Sequence, residues 1–228
     1  MLLSRDAIVD HLKKGTIVID PFLDRNLKTT SYDVTLGEWF WRENQPAGRT
    51  TVHNTYDEDS TKFIWTGPHQ AEKSSAVEKR LGIQLKNISP DAKVVLLAPG
   101  ETILGHTQEF VGGRDICVAK MYARSSMGRN FIEVCKDAGW GDIGYINRWT
   151  MEITNNSQHF TIPLVVGRRI AQMVFYEVAP LKKATVDYVG EGGKYQTTGV
   201  LAKLKKEWGP EMMLPRMHLD WEVGSEKK

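Results

Sequence analysis

The chain has 228 residues, 41% of them hydrophobic and 25% charged, which is enough apolar material to close one sizeable core. Its 30 basic groups nearly balance 28 acidic ones, leaving a formal charge of +2, so general electrostatic attraction to nucleic acid or a membrane surface is excluded and any anion site must be local. Two cysteines without CxxC spacing argue against a disulfide framework or a cysteine zinc cage, and no apolar run approaches the roughly 20 residues that span a bilayer. The expectation is a soluble protein of a reducing cytoplasm, or of a host cytoplasm if viral, with neither nucleic acid nor membrane as partner.

Taken in chain order, Ser4 precedes Ile8, Val9 and Leu12 on one helical face and Gly15 follows two lysines, which predicts a short capped helix. The period then changes to two. Residues 17–19 stop at Pro21, and Tyr32, Val34 and Leu36 alternate with Asp33, Thr35 and Gly37, the pattern of strands. Residues 43–80 are polar except for Phe63-Ile64-Trp65 and read as an insertion holding one hairpin at most. Further strands are expected over 82–85, 94–97, 103–107, 116–122, 150–154, 160–166 and 170–178, separated by turn signals such as Ala98-Pro99-Gly100. That rhythm indicates an all-β sandwich or barrel behind one short helix, with residues 1–228 forming one domain. The stretch near 188–228 reads as a lid or tail that wraps a neighbour or closes over a ligand.

Four segments carry candidate chemistry. Arg124-Ser125-Ser126-Met127-Gly128-Arg129 follows a strand and gathers guanidinium groups, hydroxyls and a flexible glycine, the ingredients of a phosphate cradle; a capped turn with solvated arginines is the alternative. Glu152 alternates with Thr150 and Thr154 on one strand face, which suits either a catalytic carboxylate or a solvated surface. Between them, Asp137-Ala138-Gly139-Trp140-Gly141-Asp142-Ile143-Gly144-Tyr145 has three glycines that let backbone approach a ligand, or that simply make a turn. Gly190–Gly199 surrounds Lys194, Tyr195 and Gln196 with mobile backbone, as a lid over a triphosphate or a plain linker does. None of the six histidines has a Glu two positions on, and no Pro-Cys-x-x-Cys follows, so the signature of zinc-dependent base deaminases is missing.

In this order the segments resemble the dCTP deaminase branch of the trimeric dUTPase superfamily. Ser4-Arg5-Asp6 with Gly15, Tyr32-Asp33-Val34-Thr35-Leu36-Gly37, and Leu97-Ala98-Pro99-Gly100-Glu101 look like further family blocks, so the likeness runs from Leu3 to about Gly199. The resemblance implies a distorted dUTPase-like β-barrel or jelly roll, a homotrimer with active sites at subunit interfaces, Mg²⁺ carried by the triphosphate and no zinc, and it raises, without deciding, the question of dTTP as an inhibitor. It implies hydrolytic deamination of dCTP to dUTP with Glu152 as general base, helped by Ser125 and Arg129. Arg124, Ser125 and Ser126 match the phosphate stretch, Ala138 the pyrimidine contact, and Lys194, Tyr195 and Gln196 the closing tail. Trp140 stands in the base loop and is a candidate sugar contact. Asp142 and Tyr145 also fit the dUTPase pattern, in which the Asp activates water and the Tyr packs on deoxyribose, although Ile146-Asn147 replaces its R-G. A dUTPase, a bifunctional enzyme releasing pyrophosphate, or a catalytically altered nucleotide-binding homologue remain the alternatives.

Overall fold

The Ser4 side chain accepts a hydrogen bond from the Ala7 N–H and Gly15 ends helix α1 (Arg5–Lys14) in the left-handed region at φ 76°, as the sequence leads one to expect. The computed structural model describes residues 1–46, 51–182 and 187–223; positions 47–50 of the expected insertion and 224–228 of the expected tail lie outside the described residues. Strand β1 (Ile17–Asp20) follows the helix, then β2 (Tyr32–Thr35) and β3 (Trp39–Glu43).

The insertion has more structure than its polarity suggests. It contains α2 (Glu58–Ile64), β4 (Trp65–Gln70), β5 (Glu72–Lys73) and α3 (Ser74–Leu81). These helices are short and largely polar, so no apolar period announces them; Asp57 caps α2 through the Ser60 N–H at 2.7 Å, and β4 pairs with β3. The strand expected over 82–85 is absent, because Gly82 closes α3 at φ 65° and leaves irregular chain behind it.

The remaining expected strands form, several of them longer. They are β6 (Lys93–Leu97), β7 (Thr102–Gly113), β8 (Cys117–Ala123), β11 (Ile146–Asn155), β12 (Ile162–Val165) and β13 (Arg169–Glu177), and between them lie two short strands the sequence did not announce, β9 (Ile132–Glu133) and β10 (Trp140–Gly141). Helices α4 (Ser125–Gly128) and α5 (Leu201–Glu207) complete the chain. Expected over 103–107, β7 runs on through Gly112-Gly113: a Cβ at Gly112 would stand 1.9 Å from the Tyr145 carbonyl oxygen, so the ladder needs glycine there.

One sheet runs β4-β3-β7-β11-β9 with β1 joining β7, a second runs β10-β8-β13-β2, and a third runs β12-β6-β5; the paired strands are antiparallel. The first two face each other as a sandwich. Trp149, Met151 and Ile153 of β11 meet Ala119, Met121, Met173 and Phe175 of the second sheet in the main core. On the outer face of the first sheet, Trp41, Leu104 and Met213 form a smaller cluster with Trp65 and Leu214, so the insertion and the C-terminal segment pack there together. Among the described residues no helix is long and apolar enough to cross a membrane.

Candidate active site

Strand β8 delivers the arginine-serine segment. Arg124 is extended at φ −70°, ψ 141°, and its carbonyl accepts from the Met127 N–H, which starts α4. Its Nη1 donates to the Arg169 carbonyl at 3.3 Å and its Nε lies 3.6 Å from Asp33, a buried carboxylate that also accepts from Arg169 at 2.9 Å. Arg124 is thereby tethered. Ser125, Ser126 and Arg129 are exposed, and their side chains make no hydrogen bond to another described residue, so their donors face solvent.

Glu152 lies in β11 with its neighbours Met151 and Ile153 in the core, which puts Thr150, Glu152 and Thr154 on the opposite face as alternation predicts. It is not, however, a solvated surface residue. Its Oε2 is buried and has no hydrogen-bond partner among the described residues. Burial pushes its carboxyl above the usual carboxylate range, partly offset by its own backbone N–H and by the Lys136 ammonium.

Lys136 belongs to a loop under strain. Cys135, Lys136 and Asp137 all have positive φ, at 61°, 35° and 63°, a conformation that non-glycine residues hold only where surrounding structure imposes it. The Cys135 thiol is buried, donates to the Met121 carbonyl at 3.8 Å, and is pushed up to about 12 by burial first and by the Glu152 charge next. Gly139 follows: its carbonyl accepts from the Met121 N–H at 2.7 Å, and a Cβ there would stand 2.4 Å from the Met121 oxygen. The loop thus exposes Ala138 close to the elements that hold Glu152.

Trp140 is 56% exposed and its Nε1 donates to Asp142 at 2.9 Å, so these two loop side chains orient each other. Tyr145 turns inward instead. Its ring packs edge-on to Trp149 at 5.3 Å and to Tyr188 at 4.9 Å, and burial raises its phenol far above the usual value. Tyr188 fixes the candidate lid: its N–H donates to the Ile143 carbonyl, its hydroxyl accepts from the Tyr195 N–H at 3.1 Å, and Gly193 packs so closely that a Cβ would stand 2.1 Å from its ring. Asn147, the departure from the dUTPase-like pattern, donates to the Tyr195 carbonyl at 3.0 Å.

Gln196 is 1% exposed; its amide accepts from the Ile146 N–H and donates to the Gly144 carbonyl, leaving little to offer a ligand. Lys194 is paired with Asp220, and the Tyr195 hydroxyl accepts from the Arg216 N–H. Sequence reasoning missed Tyr188, Lys136 and Asp220. Each is a lone residue of common type whose partner lies far along the chain or across a loop, so no local pattern marks it.

The structure divides the expected site into two groups. Gly141 pairs with Ala119 and Arg124 follows the last residue of β8, so the phosphate segment lies roughly 17 Å along the strand from Gly141 at about 3.4 Å per residue. Tyr145 and the lid lie on the far side of that point, where Gly144 bonds to Gly113.

A sequence model of dCTP deaminase-like proteins matches residues 2–178. The chain belongs to the dCTP deaminase-like family. Relatives named "dCTP deaminase, dUMP-forming" include one from Methanobrevibacter smithii, 28% identical over 97% of this chain and 98% of that protein, and one from Dictyoglomus thermophilum, 30% identical over 86% and 89%. A protein of Halorubrum lacusprofundi named "dCTP deaminase" is 29% identical over 86% of each. Among solved structures, 2'-deoxycytidine 5'-triphosphate deaminase from Agrobacterium tumefaciens superposes with a TM-score of 0.50 at 16% identity, covering 78% of this chain and 48% of that one, a likeness of fold. In this dCTP deaminase-like chain the lid and the C-terminal segment lie beyond the family match, which ends at Val178.

Proposed function

We propose that the protein hydrolytically deaminates dCTP to dUTP and ammonia, with Glu152 as the proton-transfer group. The observation that carries this reading is the buried, partnerless Oε2 of Glu152: an uncompensated polar atom in a folded interior is costly and is characteristic of a group kept for chemistry. Burial raises its pKa, the direction that suits a carboxyl which must both take a proton and return it. In the reaction Glu152 accepts a proton from water as the oxygen bonds to C4 of cytosine. The carboxyl then hands that proton to the amino nitrogen, the C4–N bond breaks, and ammonia departs as the C4 hydroxyl becomes a carbonyl and its proton, the second from the water, ends on N3. The substrate is the Mg²⁺ complex of the nucleotide, and the carboxylate alone activates the attacking water, a task that other deaminases give to a zinc ion.

Arg124, Ser125, Ser126 and Arg129 bind phosphate or stabilise charge near Glu152, Ala138 presents backbone to the base, and Trp140 and Tyr145 contact the sugar or base. Separation of these residues along β8 supports a homotrimer in which the phosphate segment of one copy faces the Asp142–Tyr145 loop and lid of the next. The proteins it resembles act on nucleotides, and dTTP is a further ligand to test as inhibitor.

A second reading is that the enzyme also cleaves dUTP to dUMP. It is favoured by the exposed Asp142 carboxylate, oriented by Trp140 beside the Tyr145 loop, and by the dUMP-forming names of several relatives. Incubation with Mg²⁺ and, separately, dCTP, dUTP, dCMP and a 5-substituted dCTP, read for ammonia and pyrophosphate, tests both. Absence of ammonia from dCTP ends the deaminase reading.

A further inference from the structure

The C-terminal segment crosses the face of the sheet that bears Glu152. Leu104, directly opposite Glu152 in the β7–β11 ladder, shares that face and is packed against Trp41, Met213 and Leu214. The segment is fastened at several points along its course. Lys205 pairs with Asp20 at 2.6 Å, Leu204 packs on Phe110 and Ile146, and the Trp208 ring lies 4.6 Å from both the His106 ring and the Arg148 guanidinium. The Pro210 carbonyl accepts from Trp41 Nε1 at 2.9 Å. It then reaches the lid, where Arg216 donates to the Lys194 carbonyl at 2.7 Å and Asp220 pairs with the Lys194 ammonium.

This arrangement is stable but incompletely satisfied. Trp65 Nε1, His218 Nδ1 and Glu152 Oε2, all belonging to elements under or within the segment, are buried without a partner among the described residues. Apolar contacts hold the segment down, while these groups are left without a partner as it lies.

Taking the nucleotide-binding reading of Lys194 as its basis, we infer that residues 208–220 are an autoinhibitory strap, in which Asp220 occupies Lys194 in place of a nucleotide phosphate. A polyphosphate that claims Lys194 breaks the Lys194–Asp220 pair and frees the strap. Because only unstrapped molecules bind, the strap weakens apparent affinity by the fraction of molecules that are open.

The test uses the full chain and two readouts. Hydrogen exchange over 208–220 is expected to quicken when Mg²⁺-tripolyphosphate is added to the wild type, and to be quick already in Asp220→Asn. Lys194→Gln, which breaks the pair from the other side, is expected to exchange quickly without polyphosphate and to respond no further to it. The KM for Mg·dCTP is expected to fall about three- to tenfold in Asp220→Asn. Unchanged protection in both variants, or a strap indifferent to tripolyphosphate in the wild type, overturns the inference. A strap that opens as described in a protein that releases no ammonia from dCTP leaves the strap standing and refutes the deaminase reading alone.

Discussion

Gln196 accepts a hydrogen bond from the Ile146 N–H at 2.7 Å across fifty residues of chain, and the same amide donates to the Gly144 carbonyl at 2.8 Å. One side chain therefore joins the candidate lid to the first residues of the strand that carries Glu152. Gln196→Ala leaves both backbone groups unmet in a buried place, for a loss of about 2–3 kcal/mol. Urea unfolding should show that loss and hydrogen exchange should quicken over 187–196; a variant as stable as wild type shows that the clip carries no weight.

Glu152→Gln is expected to keep dCTP affinity within about tenfold and to lose deamination by at least about a hundredfold, measured in single-turnover and binding experiments. Retained turnover refutes the assigned role.

The same substitution has a stability signature. Because the folded-state pKa of Glu152 is raised, its contribution is fully present below the unfolded pKa and is lost as pH rises through the folded one. The glutamine variant should therefore melt higher than wild type at pH 8 and converge with it near pH 4. The acid limb of kcat/KM should likewise lie above the ordinary carboxylate range.

His106 is buried and neutral, its Nδ1–H donating to the Thr107 carbonyl and its Nε2 accepting from the Trp39 N–H at 3.3 Å, and burial lowers its pKa to about 4. The unfolded chain takes up a proton that the folded one refuses, so stability present above about pH 6.5 is lost as pH falls toward 4. The loss is on the order of 3 kcal/mol. Urea titrations at pH 7 and 4.5 should reveal it, with a shallower pH dependence in His106→Gln.

Gly37 touches that histidine. An added Cβ would stand 2.0 Å from the ring, and the Gly37 N–H is committed to the His106 carbonyl, so there is no room to retreat. Gly37→Ala should cost about 1–3 kcal/mol by overpacking. Combined with His106→Ala the losses should be non-additive, whereas simple addition would deny the contact.

Asp142→Asn separates the two proposed reactions. Pyrophosphate release from dUTP should fall by at least about a hundredfold while ammonia release from dCTP persists. Undiminished pyrophosphate release removes Asp142 from the reaction.

The legible part of this protein was the part written in neighbouring residues. Ser4 and Gly15 bracket α1, alternation at Tyr32–Leu36 and Thr150–Thr154 marks strands, and Arg124–Arg129, the glycine loop and Glu152 appear in family order. Strand length was less legible: residues 103–107 read as a strand, yet β7 runs from Thr102 to Gly113, where the close approach of Tyr145 to Gly112 requires glycine. The polar insertion hid its helices because α2 owes its start to an Asp57 cap and its position to Trp65 packing on Trp41 and Leu104.

By itself the sequence determined the β architecture and the family, and offered the residues from which a site is proposed, since strand period, caps and motif order depend on side chains only a few positions apart. Tertiary structure alone decided that Glu152 has a buried oxygen with no partner, that Gln196 is occupied by backbone, and that Lys194 is held by Asp220. Those facts concern atoms brought together from 26 to 50 residues away, or left alone after burial, and burial and pairing are properties of the packed chain.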